Sequence, residues 1–146
     1  MKNEISFHII IFFVVSFVFY ATNDFVYCEN LHIVGTNEDG VTYYDKDSIH
    51  ITKRDNVSVW VTQMYSKKYS EDMGNSLLID RTYRKPYSKM SLIEINCKER
   101  SYRTIKYIIF DVFENILLLH NNKSDIPTID IIPYSVMDKL RVSLCK

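Results

Sequence analysis

Three cysteines stand in this chain, and their positions constrain the fold more than any other feature. Cys28 closes an N-terminal apolar segment, Cys97 ends an alternating stretch, and Cys145 is next to the last residue. In Leu92 to Arg103, LIEINCKERSYR, the residues Ile93, Ile95 and Cys97 alternate with Leu92, Glu94 and Asn96. A strand turns every second side chain to the same face, so the Cys97 sulfur points at whatever covers the apolar side. The C-terminus predicts a helix. Ser135 with Asp138 three residues on is a short form of the capping box, and Val136, Leu140 and Leu144 form an apolar stripe. Cys145 falls in the final turn, near that stripe. A helix laid by its stripe on the sheet brings Cys145 to Cys97, and in an oxidising compartment the two pair. The covalent tie offsets the weakness of so short a helix.

The N-terminus supplies that compartment. Phe7 to Tyr20 is apolar apart from His8 and Ser16, and at about 14 residues it is shorter than the ~20 needed to span a bilayer. Polar Thr22, Asn23 and Asp24 follow. This pattern reads as a secretory signal peptide over residues 1–28, leaving a domain over 29–146. Two other readings stay open: an uncleaved membrane anchor, and a lipoprotein leader in which Cys28 becomes the lipidated first residue. Bulky Tyr27 stands where a lipidation signal wants a small side chain, which favours simple secretion. Removing Cys28 leaves an even pair, as a secreted protein requires. Membrane contact is expected only through the leader or a lipid anchor.

The 146 residues suffice for one domain, and the balance of 18 basic and 18 acidic side chains removes the electrostatic case for a nucleic-acid partner. Short apolar runs separated by turn residues predict strands at Leu31 to Val34, Val41 to Tyr44, Ile49 to Lys53, Val57 to Ser66, Leu92 to Cys97, Tyr102 to Phe110 and Ile116 to His120. In Val57 to Ser66, Val59 and Val61 share the face of Val57 and Trp60 lies opposite. Hairpin spacing makes the sheet antiparallel. The expected fold is α+β: an antiparallel sheet of about six strands with a C-terminal helix packed on it and pinned by the disulfide.

Lys67 to Lys89 breaks the pattern, with no strong period and at most a short extra element around Leu77, Leu78 and Ile79. Connections beyond ~15 residues in compact domains are usually functional or mobile. Arg81, Tyr83, Arg84, Lys85 and Tyr87 interleave cations with aromatic rings, a surface suited to a protein partner or an anionic polymer. These five are the candidate ligand-binding residues. No catalytic set is visible. His32, His50 and His120 fall in separate elements, and neither a metal-ligand spacing nor a glycine-rich phosphate loop occurs. The residues therefore call for no metal and no cofactor. Asp45 and Asp47 read as a solvated turn rather than an acid–base pair.

Four stretches, taken together and in order, resemble the bacterial surface-adhesin protein E family: VTYYDKDSI at 41–49, VSVWV at 57–61, LIEINCKERSYR at 92–103 and IIPYSVMDKLRVSLCK at 131–146. The resemblance covers roughly residues 31–146. It departs from the family pattern at Asn96, where an Asp usually precedes the cysteine, in the lack of a Trp before Ile132-Pro133, and in the setting of Cys28. It implies an exported sheet with a disulfide-fixed C-terminal helix. It also implies a non-enzymatic surface protein whose relatives are lipid-anchored adhesins for extracellular-matrix and serum proteins and form homodimers. The resulting expectation is an exported cell-envelope or surface interaction protein, an adhesin. Its alternatives are a periplasmic structural or assembly protein and a small secreted hydrolase.

Overall fold

The computed structural model describes residues 30–53, 55–76, 85–122 and 126–145. The leader reading over 1–28, with Cys28, lies outside them. An antiparallel sheet of eight strands is built from β1 (Leu31–Asn37), β2 (Gly40–Asp45), β3 (His50–Lys53), β4 (Asn56–Tyr65), β5 (Ser88–Asn96), β6 (Ser101–Phe110), β7 (Ile116–Asn121) and β8 (Ile129–Asp130). Its main path runs β1-β2-β4-β5-β6-β7, while β3 extends the β2 row along β4 and β8 extends the β7 row along β6. The expected count of about six corresponds to these six rows. Among the described residues two helices accompany the sheet, α1 (Lys67–Ser76) and α2 (Val136–Leu144).

Strand pairing fixes the faces. Val57, Val59 and Val61 pair with Ile95, Ile93 and Ser91, so the alternation of the two strands falls in register and builds one apolar face. On that face Val59, Val61, Ile93 and Ile95 enclose a core with Ile131 and Leu140, flanked by Val34, Tyr44, Tyr102, Met137 and Leu144. Leu140 of α2 is wholly buried. Burying a leucine side chain contributes about 1.5–3 kcal/mol, and Leu140 is the side chain that seats the helix.

Cys97 and Cys145 are bonded, with Cα atoms 5.6 Å apart and 48 residues between them in sequence. The chain-entropy model gives such a cross-link about 4 kcal/mol. The cap at the other end of α2 differs from the expected box. Ser135 accepts from the Asp138 amide at 3.2 Å. The Asp138 carboxylate, however, accepts from the Tyr134 amide at 3.0 Å, because the Ser135 amide is already bonded to the Ile132 carbonyl. Arg141 and Arg100 also approach Asp138, at 2.8 and 3.7 Å. Arg100 lies in the β5–β6 turn beside Cys97, so a covalent and an ionic tie fasten α2 to the same turn.

Two local features depart from the sequence expectation, and the Asp45–Asp47 turn agrees with it. The GTNEDG segment is not wholly a turn: β1 continues through Gly35 to Asn37, with a bulge between Ile33 and Gly35. The turn is closed at Gly40, where φ is +144° and a Cβ would meet the Met64 carbonyl oxygen, so only glycine fits. Asp45 and Asp47 belong to a short 3-10 turn, Lys46–Ser48, with Asp45 accepting from the Asp47 amide. The first part of the expected long loop is helix α1, capped by Ser66, whose hydroxyl accepts from the Tyr69 amide at 3.3 Å.

Candidate functional site

The five residues proposed for ligand binding divide between described and undescribed chain. Arg81, Tyr83 and Arg84 lie outside the described residues. Lys85 and Tyr87 form the run into β5, on either side of buried Pro86. Exposed Lys85 pairs with Glu71 of α1 at 3.3 Å, and Ser70 of α1 donates to the Pro86 carbonyl. The Tyr87 amide donates to the Phe110 carbonyl at 2.7 Å, and its side chain is exposed. α1 and the end of β6 therefore hold this segment in place.

At the same end of the sheet the β6–β7 hairpin presents a cluster that the sequence reading passed over as a simple turn. Asp111 is 1 % exposed. Its Oδ1 accepts from the amides of Phe113 and Asn115 at 2.8 and 2.9 Å, and Asn115 Nδ2 donates to Oδ2 at 2.9 Å. Glu114 sits in the left-handed region at φ 64°. This bracket fixes the turn while leaving its apolar side chains in water: Val112 is 60 %, Phe113 75 % and Ile116 57 % exposed. The available sequence signal was the Asp111…Asn115 spacing around Val112-Phe113, apolar residues at a turn that elsewhere in this chain is polar.

Glu94, on the sheet face away from α2, accepts from Thr52 at 3.0 Å and from Arg103 at 2.6 Å. Desolvation is the strongest single influence and acts to raise its pKa, but the bonds from Thr52, Arg103 and Asn56 and the Arg103 charge together hold it below the usual carboxylate range. Burial raises the Tyr65 phenol well above its ordinary value, helped by Tyr69 and Tyr107. Among the described residues no group of three or more His, Cys, Asp or Glu side chains is placed to hold a metal ion, and no helix is long and apolar enough to cross a membrane.

Such a structure defines a class: a disulfide-pinned antiparallel sheet with one covering helix and a rigid, exposed apolar tip. The family profile described as Surface-adhesin protein E matches residues 31–146, and the chain belongs to that family. At the family level it is a surface adhesin. The fold is similar to the selenomethionine form of Haemophilus influenzae protein E, with a TM-score of 0.48 and 14 % identity, covering 71 % of this chain and 78 % of that one. Crystal form II of Haemophilus influenzae protein E gives 0.47 and 12 %, covering 71 % and 79 %. No curated protein matches the chain.

Proposed function

We propose that the protein is exported, loses residues 1–28, and works without catalysis as an adhesin that binds an extracellular protein through the end carrying Tyr87, Val112 and Phe113. The single observation behind this reading is the Asp111 bracket. It spends a buried carboxylate to hold Val112 and Phe113 out of the core. Rigid exposed aromatic side chains are the usual anchors of protein interfaces. A protein partner suits this surface better than an anionic polymer, because Lys85 is already paired with Glu71 while the apolar side chains have no use in binding a polyanion. Arg81, Tyr83 and Arg84 come shortly before Lys85 in the sequence and remain candidate contact residues.

The test is adhesion of the purified protein to immobilised basement-membrane extract and to serum proteins. Replacing Val112 and Phe113 together by Ser should weaken binding by about 30-fold, the effect of losing one interface hot spot of ~2 kcal/mol. Circular dichroism and the oxidised mass should stay unchanged. Unaltered binding by that folded variant removes the hairpin tip from the account. A periplasmic assembly role predicts instead that the protein on intact cells resists added protease.

A further inference from the structure

A second surface lies on the helix-bearing face; no residue of the hairpin tip lines it, and it is independent of the adhesin reading. Between the start of α2 and strands β2, β4, β5 and β6 there is an open cavity of about 380 Å³, within the ~300–1,000 Å³ range of small-ligand sites. Val61, Ile93 and Met137 contribute apolar wall, and Tyr102 an aromatic edge.

The polar groups are what make the cavity unusual. Lys89 is half-buried and makes no ion pair with any described residue; its Nζ rests 4.7 Å over the Tyr107 ring. Desolvation lowers its pKa, so its ammonium is short of the solvation or counter-charge it would have elsewhere. Around it the side chains of Thr42, Gln63, Ser91 and Thr104 line the cavity and hydrogen-bond to no described residue. Thr42 and Ser91 are buried as residues, but their hydroxyls are not among the sealed, unpartnered side-chain atoms, so they are open to the cavity and available to a ligand. On the rim, the Asp39 carboxylate takes only a 3.3 Å bond from Asn37 Nδ2 among the side chains, which leaves it able to accept from hydroxyls.

We infer that this cavity binds a carboxylated sugar residue, with the ligand carboxylate on Lys89 and its hydroxyls on Thr42, Gln63, Ser91 and Thr104. One ammonium matches one carboxylate, where a polysulfate would need several cations. Three hydroxyls and an amide suit a polyol, where a free amino acid would leave most of them unused. Val61, Met137 and Tyr102 offer a surface for the C–H face of a pyranose ring.

The experiment is an NMR titration of the oxidised protein with four probes: methyl glycosides of N-acetylneuraminic acid and glucuronic acid, methyl galactoside, and alanine. Saturable amide shifts at Thr42, Gln63, Lys89, Ser91 and Thr104 are expected with the acidic glycosides. Their affinity should exceed that of the neutral sugar by about tenfold, as a charge-assisted hydrogen bond allows. Lys89→Met should abolish this preference and Lys89→Arg should retain part of it. If Lys89→Met does not fold, Gln63→Ala and Thr104→Val serve instead and should each weaken both acidic glycosides severalfold. No saturable shift, equal affinity for galactoside, tighter binding of alanine, or selectivity that survives Lys89→Met overturns the assignment. Val112 and Phe113 variants should leave these shifts untouched, so failure here and failure of the adhesin reading are separable.

Discussion

The two ends of the sheet each use an aspartate as a bracket, to opposite effect. At the α2 end, Asp138 accepts from Tyr134 and pairs with Arg141 and Arg100, and its work is to draw a helix onto the core beside the Cys97–Cys145 bond. At the hairpin end, Asp111 gathers the Phe113 and Asn115 amides and holds apolar side chains away from any core. Where an acid serves stability, Leu140 beneath it is wholly buried; where it serves display, Phe113 above it is 75 % exposed. The chain thus places its covalent reinforcement far from the surface proposed to meet a partner, so that surface depends on its own local hydrogen bonds.

The largest expected effect tests that independence. Cys145→Ser should cost about 4 kcal/mol of stability by the chain-entropy model, with faster hydrogen exchange across Val136–Leu144. The Phe113 and Asn115 amides, bonded to Asp111, should keep their protection relative to the remaining global stability. If they lose it in step with α2 beyond that global loss, the two ends are one cooperative unit and the contrast drawn between them fails.

Asp111→Ala probes the other end. It leaves three donors, the Phe113 and Asn115 amides and Asn115 Nδ2, without their acceptor. The cost should be about 2 kcal/mol, because turn amides at a hairpin tip can regain water, unlike groups sealed in a core. Adhesion should fall further than stability, since Phe113 loses its fixed presentation. A variant whose denaturation midpoint drops while its adhesion holds would mean that the bracket stabilises the hairpin and does not position the contact.

Much of the first end was legible in the chain. Period two in Val57–Val61 and in Ile93–Cys97 fixes which side chains meet, and parity alone carries the Cys97 sulfur to the helix-bearing face. The Ser135 cap and the Val136, Leu140, Leu144 stripe mark α2. What escaped depends on contacts between distant segments. α1 has no apolar stripe and contains Gly74 and two serines; it is held by the Tyr65–Tyr69 ring contact at 4.9 Å and by the bond from Ser70 to the Pro86 carbonyl, tertiary terms that override weak local propensity. In β6, Leu92 pairs with Lys106 and Ile93 with Thr104. The bulge at Ile105 therefore moves Lys106 to the face away from Thr104, against simple alternation. The Lys89 cavity draws its lining from five strands, the β1–β2 turn and α2, and no linear spacing announces it. Arg81, Tyr83 and Arg84 stand outside the described residues, so only Lys85 and Tyr87 of the candidate set acquire a setting.

The smallest effect is acid-dependent and returns to α2. The Tyr134 amide bond, then Arg141 and more weakly Arg100, hold the Asp138 carboxyl below its ordinary value of 3.8. A carboxyl depressed on folding contributes stability that is present above its unfolded pKa and is lost as pH falls through the folded one. Exchange at the first turn of α2 should therefore quicken below about pH 4, where an unfolded aspartate begins to protonate. Asp138→Asn should remove most of that local dependence. It should leave the acid slope contributed by Glu94, whose ordinary value is 4.5 and whose folded pKa is also lowered. Glu94 bonds Thr52 and Arg103 across β3, β5 and β6, so its protonation should loosen the sheet between the two ends rather than either end alone. Measuring amide exchange in Asp138→Asn and Glu94→Gln across pH 3–6 separates the two. A first-turn pH dependence that persists in Asp138→Asn and disappears in Glu94→Gln would show that acid reaches the helix through the sheet, and that the Asp138 bracket is not what senses it.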